Sequence, residues 1–144
     1  MSKAKVLFLC VGNSARSQMA EAFLKKHGGD RYDTYSAGTE PKGINPYTER
    51  VMEEVGVSLG GQYSKHVKEY MGKVHFGYLI TVCGESEQDC PTIFPSVGQI
   101  IHWSFEDPAA LVGSDEEKVA KFREVRNRIE QQIKEWVIEH GLDR

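Results

Sequence analysis

Several features are missing from this 144-residue sequence, and each absence excludes a class of protein. No apolar run approaches the roughly 20 residues of a transmembrane helix, so we expect no membrane association. The net charge of −3 lacks the basic excess of a nucleic-acid binder. The N-terminal segment has no secretory apolar region before its first predicted strand, which favours a cytoplasmic location.

Cysteine is scarce, since the chain holds only three: Cys10, Cys83 and Cys90. Thiols normally stay reduced in the cytoplasm, which argues against a structural disulfide framework. The separation of Cys83 from Cys90 does not match a zinc ligand pair, so we expect no metal. Inert buried thiols and redox chemistry both remain possible at this point.

Strand-like and helical segments alternate along the chain without a linker or repeat. The strand-like segments are residues 5–10, 31–36, 76–83 and 99–103. The helical patterns are residues 17–27, 45–56 and 114–141. This alternation predicts an α/β fold: a single three-layer domain over residues 1–144, with a central parallel four-stranded sheet flanked by helices.

The most informative motif is residues 10–16, Cys-Val-Gly-Asn-Ser-Ala-Arg, between the first strand and the first helix. A strand, a tight loop and a helix start can direct successive backbone N–H groups into an anion pocket. The positive potential there favours the thiolate form of Cys10, a nucleophile. The guanidinium of Arg16 can bind two oxygens of a tetrahedral oxyanion.

The predicted substrate-binding residues are Val11, Gly12, Asn13, Ser14, Ala15, Arg16 and Ser17. Gly12 and Asn13 tolerate the unusual backbone angles that a loop curled around an anion requires. Ser17 either hydrogen-bonds the Cys10 thiolate or caps the following helix, and the sequence does not choose between these roles.

An acidic pair, Glu106-Asp107, follows the last predicted strand and precedes Pro108. Ligands of parallel sheets bind at the carboxyl ends of the strands, so this loop should lie near Cys10. A carboxylic acid there could protonate a leaving oxygen. We favour Asp107 over Glu106 because Pro108 restricts its backbone directly, although Asp-Pro is also a common turn sequence.

Cys83 and Cys90 bracket a polar, acidic segment. If that segment were helical, their Cα atoms would lie roughly 10 Å apart, beyond the roughly 4.4–6.8 Å of a disulfide. The two can bond only if the segment loops or unwinds, which Gly84 and Pro91 favour. The alternative is two unrelated thiols.

Together these motifs resemble a known family. Similarity to the low-molecular-weight protein tyrosine phosphatases lies in residues 10–17, 35–39 and 107–108. Closer similarity to their offshoot, the thioredoxin-coupled arsenate reductases, lies in residues 83–84, 89–91 and 102–108. The resemblance spans nearly the whole chain and implies the phosphatase-like form of the α/β fold.

The resemblance implies a three-thiol relay with catalytic Cys10, Cys83, Cys90, Arg16 and Asp107. Cys10 attacks arsenate, Cys83 attacks the sulfur of the adduct as arsenite leaves, and Cys90 then attacks Cys83. Thioredoxin would supply the electrons, with no bound cofactor. Phosphate or sulfate would compete for the pocket, and we expect a monomer.

Two positions depart from the family pattern. Ala15 stands where relatives often carry another cysteine. Several relatives bind potassium beside the loop; Asn13, Glu21 and Ser36 match three of its ligands, but Lys65 occupies the position of the fourth, an aspartate. We hypothesise that the Lys65 ammonium replaces the ion, pairing with Glu21 and bracing Asn13; the alternative is an exposed lysine.

Two other functions are open. A low-molecular-weight tyrosine phosphatase would use Cys10, Arg16 and Asp107 but gives no reason for Cys83 and Cys90. Such phosphatases also usually place an aromatic residue after Asp-Pro, where this chain has Ala-Ala-Leu. The second alternative is a non-catalytic thiol redox sensor, which predicts no turnover and no role for Asp107.

Overall fold

Four parallel strands form the sheet that carries the site, in the order β2-β1-β3-β4. The computed structural model describes residues 3–83 and 97–142. Its strands are β1 (Ala4–Cys10), β2 (Tyr32–Gly38), β3 (Phe76–Thr81) and β4 (Val97–His102). Its α-helices are α1 (Arg16–Gly28), α2 (Pro46–Glu53) and α3 (Asp115–Leu142), with short 3-10 turns at Val67–Glu69 and Pro108–Ala110.

Both faces of the sheet are covered, which explains the almost continuous apolar run of β1. Because side chains alternate along a strand, Val6 and Phe8 enter one core with residues of α1, α2 and α3. Leu7 and Leu9 enter a second, smaller core on the opposite face. There the covering layer includes the segment around Val67, so helical structure flanks the sheet as predicted.

The predicted fold class is confirmed, and the element boundaries shift by a few residues. β2 runs on to Gly38, because its last residues pair with the end of β1. β3 ends at Thr81 and α2 at Glu53, both earlier than expected. The capping box of α3 is present: Ser114 and Glu117 each accept a hydrogen bond from the other's backbone N–H.

The carboxyl ends of the strands meet at one edge of the sheet, as the parallel topology requires. Cys10 lies beside Gly38 across β1 and β2. The Val82 N–H donates to the Leu9 carbonyl at 3.0 Å, which holds the chain after β3 against the end of β1. In the described ranges, none of the helices is long and apolar enough to cross a membrane.

Candidate active site

The candidate site is the loop of residues 11–15, between the end of β1 at Cys10 and the start of α1 at Arg16. It borders a cavity of about 120 Å³, lined by Cys10, Val11, Gly12, Ser14, Ala15, Arg16, Lys42, Asp107 and Ala109. Asn13 and Ser17, also predicted to bind substrate, are fully buried instead and do not line the cavity.

Backbone N–H groups of this loop are left for a ligand. Those of Gly12, Ser14 and Ala15 donate to no acceptor within the described part of the chain. The N-terminal end of α1 has Ala15 at its cap position, and no side chain caps it. Uncapped amides at a helix start attract anions, so the loop has the electrostatic form of an oxyanion pocket.

The Cys10 sulfur receives two contacts from within the loop. Its Sγ lies 2.9 Å from the Ser17 Oγ, and the Asn13 N–H donates to it at 3.2 Å. In the contact with Ser17, either the thiol or the hydroxyl can be the donor. Because α1 begins at Arg16, Ser17 lies inside the helix, so its side chain serves the thiol and not the cap.

Asn13 connects the loop to the rest of the molecule. Its Nδ2 donates to Ser17 Oγ at 2.8 Å and to Ser36 Oγ at 3.0 Å, and its Oδ1 accepts from the Lys65 N–H. Asn13 also takes the left-handed backbone conformation, with φ of 47°. The unusual backbone angle expected in this loop thus occurs at Asn13, whereas Gly12 has no positive φ.

Arg16 and Asp107 form the opposite side of the pocket. Nη1 of Arg16 donates to the Phe105 carbonyl at 3.1 Å, and Nη2 lies 3.8 Å from Oδ2 of Asp107. The Ala109 N–H donates to Oδ1 of Asp107 at 3.0 Å, which fixes the carboxyl group. Glu106 instead pairs with Lys121 of α3, so of these two carboxylates it is Asp107 that lines the pocket.

Lys65 is buried, with a relative exposure of 5%, so the exposed-lysine alternative is wrong. Its Nζ donates to the Ser36 carbonyl at 2.9 Å and lies 4.4 Å from the centre of the Tyr63 ring. Burial lowers the pKa of Lys65, and the charge of Glu21 opposes that effect.

The expected direct pair between Lys65 and Glu21 is not formed in the described structure. Ser36 Oγ donates to Glu21 at 2.5 Å, and Lys25 forms the ion pair with Glu21 at 2.7 Å. Ser36 therefore lies between the two charges. The link from Lys65 to Asn13 is also made by the Lys65 backbone N–H and not by its ammonium.

These residues do not fit a potassium ion. The Ser36 carbonyl and the Asn13 side-chain oxygen already accept hydrogen bonds from Lys65. The Lys65 ammonium, 2.9 Å from the Ser36 carbonyl oxygen, places a positive charge beside these oxygens and repels a second cation.

Cys83 lies just after β3 and is buried in the same core as Cys10. Cys10 is a free thiol, whereas Cys83 takes part in a disulfide. The third predicted cysteine, Cys90, lies outside the described residues.

Sequence reasoning missed two residues that line the cavity, Lys42 and Ala109. Lys42 lies in the loop between β2 and α2, and no local pattern marks it. The strand order could have indicated Lys42, because its loop begins at the carboxyl end of β2, which lies next to β1.

Comparison with known proteins agrees with this geometry. Residues 5–144 match the model of the low molecular weight phosphotyrosine protein phosphatase family. The arsenate reductase of Halalkalibacterium halodurans is 44% identical over 135 residues, covering 93% of this chain and 95% of that protein. The arsenate reductase of Bacillus subtilis is 40% identical, covering 94% and 96%.

A solved structure described as an arsenate reductase in the phosphate binding state superimposes with a TM-score of 0.76 at 29% identity, covering 94% of this chain and 98% of that chain. The thioredoxin-dependent arsenate reductase of Corynebacterium glutamicum gives 0.72 at 27% identity, covering 99% of this chain and 64% of that chain. This chain belongs to the low molecular weight phosphotyrosine protein phosphatase family.

Proposed function

We propose that this protein is an arsenate reductase that converts arsenate to arsenite with electrons from thioredoxin. One observation carries the proposal: an oxyanion pocket holds the free thiol of Cys10, and Cys83 is buried in the same core after the neighbouring strand. The names of the relatives support it. We further propose that residues 1–144 act as one domain and as a monomer in the cytoplasm.

The first step forms a bond between sulfur and arsenic. The Cys10 thiolate attacks arsenate while Arg16 and the free loop amides hold the other oxygens. One arsenic–oxygen bond breaks, and Asp107 protonates the departing oxygen, which leaves as water. The product is a covalent adduct of Cys10 with arsenic still in its +5 state.

The second step carries the reduction. The Cys83 thiolate attacks the Cys10 sulfur, the sulfur–arsenic bond breaks, and its electron pair stays on arsenic, which leaves as arsenite. A disulfide between Cys10 and Cys83 remains. Because both residues are almost fully buried, an external reductant cannot readily reach that bond.

The third step moves the oxidised pair. Cys90 attacks the Cys83 sulfur and releases the Cys10 thiolate, and thioredoxin then reduces the new disulfide. The observed state, with Cys83 in a disulfide and Cys10 free, has the form expected after this transfer.

Lys65 supports the nucleophile through hydrogen bonds. Its ammonium fixes the Ser36 carbonyl, and Ser36 and Asn13 in turn position Ser17 beside the Cys10 sulfur. We expect turnover to be flat across potassium chloride concentrations when sodium chloride keeps the ionic strength constant. A strong rise specific to potassium would contradict this role of Lys65.

The relay is tested by arsenite release and by arsenate-dependent NADPH oxidation with thioredoxin and its reductase. Cys10→Ser should release no arsenite, and Cys83→Ser should stop after forming the Cys10 adduct. Cys90→Ser should release about one arsenite per protein and accumulate a disulfide between Cys10 and Cys83, detectable by mass spectrometry.

Full multiple turnover by Cys90→Ser would overturn the relay. Replacing thioredoxin with glutathione and glutaredoxin identifies the donor independently. If the glutathione system alone sustains turnover, the reduction chemistry stands and only the electron donor changes. If the wild type releases no arsenite with either donor, the reductase proposal fails and a thiol sensor is favoured.

A further inference from the structure

Lys42 lines the anion pocket together with Cys10, Arg16 and Asp107, although it lies in a different loop. Its backbone N–H donates to the Gly12 carbonyl at 3.0 Å. Two neighbouring bonds, from Glu40 N–H to the Val11 carbonyl and from Asn45 N–H to the Ser14 carbonyl, join the same two loops. The position of Lys42 relative to the nucleophile is therefore fixed by main-chain contacts.

The side chain of Lys42 crosses the loop at Gly12. A methyl group placed on Gly12 would meet Lys42 Cδ at 3.4 Å and Cγ at 3.7 Å. Both distances are those of ordinary van der Waals contact, so the aliphatic stem of Lys42 packs over the loop at Gly12.

The charge of Lys42 is available to a ligand. Within the described residues, Lys42 takes part in no ion pair, whereas Arg16 already lies 3.8 Å from Asp107. A tetrahedral oxyanion such as arsenate or phosphate carries up to two negative charges at neutral pH. Arg16 supplies one positive charge and the loop amides supply none, so a doubly charged oxyanion would have one negative charge without a cationic partner.

We propose that Lys42 is the second cation of the pocket and a determinant of its affinity for doubly charged tetrahedral oxyanions. The inference rests on the proposed function, because it assumes that the pocket binds such anions. An ammonium group at the rim contacts the anion before and during attack by Cys10. Uniform binding of this kind changes KM and leaves kcat nearly unchanged.

The test measures anion binding without turnover. Reduced protein is alkylated with iodoacetamide at increasing concentrations of inorganic phosphate, and modification of the Cys10 peptide is followed by mass spectrometry. Lys42→Met keeps the aliphatic stem and removes the charge, and Lys42→Arg keeps the charge. Lys73→Met, at an exposed loop position away from the pocket, is the control for net charge.

We expect Lys42→Met to raise the phosphate concentration for half-protection about five- to tenfold. Lys42→Arg should stay within about threefold of the wild type, and Lys73→Met within about twofold. In turnover, Lys42→Met should raise the KM for arsenate by a similar factor while kcat stays within about twofold.

Equal protection of the wild type and Lys42→Met would overturn the role of Lys42 while leaving the reductase proposal intact. A fall in kcat with unchanged KM would also overturn it. If phosphate fails to protect Cys10 in the wild type, the oxyanion pocket itself is refuted, and with it the proposed function. Circular dichroism spectra would show whether each variant is folded.

Discussion

Asn13 shows how much a single side chain can determine in this site. Its amide bonds to Ser17, Ser36 and Lys65 while its backbone takes the left-handed conformation, which asparagine tolerates better than most residues. All of these bonds are buried. They hold the thiol's partner, Ser17, in place.

We predict that Asn13→Ala lowers the free energy of unfolding by about 2–4 kcal/mol, because buried polar groups lose their partners and alanine is strained at positive φ. Urea denaturation measures this change. Gln132→Ala, at a partly exposed position of α3 that makes no hydrogen bond or ion pair within the described residues, is the control and should change stability by less than about 0.5 kcal/mol. Equal effects of the two variants would refute the role assigned to Asn13.

The neighbouring carboxylates Asp107 and Glu106 give a second prediction at this scale. Asp107→Asn keeps the acceptor for the Ala109 N–H but cannot protonate a leaving oxygen, so kcat should fall about 10²-fold or more. Glu106→Gln removes one of the two carboxylates that pair with Lys121 and should leave kcat within about twofold. The rate of arsenite release in a single turnover measures both variants. Similar losses of rate in Asp107→Asn and Glu106→Gln would contradict the proposal that Asp107 is the acid.

At the scale of elements, the end of β2 limits the shape of the anion loop. A Cβ atom at Gly38 would collide with the Val11 carbonyl oxygen and lie 3.0 Å from the Asn13 nitrogen. Gly77 in β3 is a matched position, where the nearest atom would be at an ordinary 3.7 Å.

Gly38→Ala should therefore displace the loop and abolish the protection of Cys10 by phosphate, whereas Gly77→Ala should retain it. Competitive alkylation of Cys10 provides the measurement. Normal protection in Gly38→Ala would show that the loop does not depend on this close approach.

A cluster of charges joins α2 to α3. The Glu54 carboxylate accepts hydrogen bonds from Arg123 at 2.6 Å and from Arg126 at 2.9 Å, and Arg126 also donates to the Val51 carbonyl. These arginines, with Arg123 first, lower the pKa of Glu54 from 4.5 to about 2.

Because the folded-state pKa lies below the unfolded one, the stabilisation is complete above about pH 4.5 and is lost as pH falls toward 2. Glu54→Gln should lower the Tm at pH 7. The difference in Tm between this variant and the wild type should become smaller as pH falls from about 4.5 toward 2. Glu53→Gln, without such partners in the described structure, is the control. If the difference in Tm did not change with pH, the ionised Glu54 carboxylate would not be the source of the stabilisation.

At the scale of the whole molecule, the pocket joins the carboxyl ends of β1 and β2 to the loop after β4. A ligand that binds only the folded state stabilises all of these segments together. Inorganic phosphate at about 100 times its Kd should add about 2.7 kcal/mol to the stability.

Thermal unfolding at constant ionic strength, with chloride as the control anion, measures this stabilisation. Arg16→Met should lose most of the phosphate-induced increase in Tm. An equal increase in Tm with chloride, or with Arg16→Met, would mean that phosphate acts outside the pocket.

The sequence alone determined the local parts of this protein. Strand and helix patterns predicted the parallel α/β sheet. A strand buried on both faces is a short run of apolar residues, and a helix buried on one face has apolar residues at helical spacing, so both are visible within a few residues. The motif of residues 10–16 likewise predicted a loop between a strand and a helix, and β1 ends at Cys10 while α1 begins at Arg16.

Only the tertiary structure decided which side chains reach that motif. The burial of Lys65, the contact of Asp107 with Arg16 and the position of Lys42 at the pocket depend on contacts between distant segments. Those contacts follow from strand order and loop path, which bring residues many positions apart to one edge of the sheet. The spacing of residues within a short motif does not show which distant residues will lie beside it.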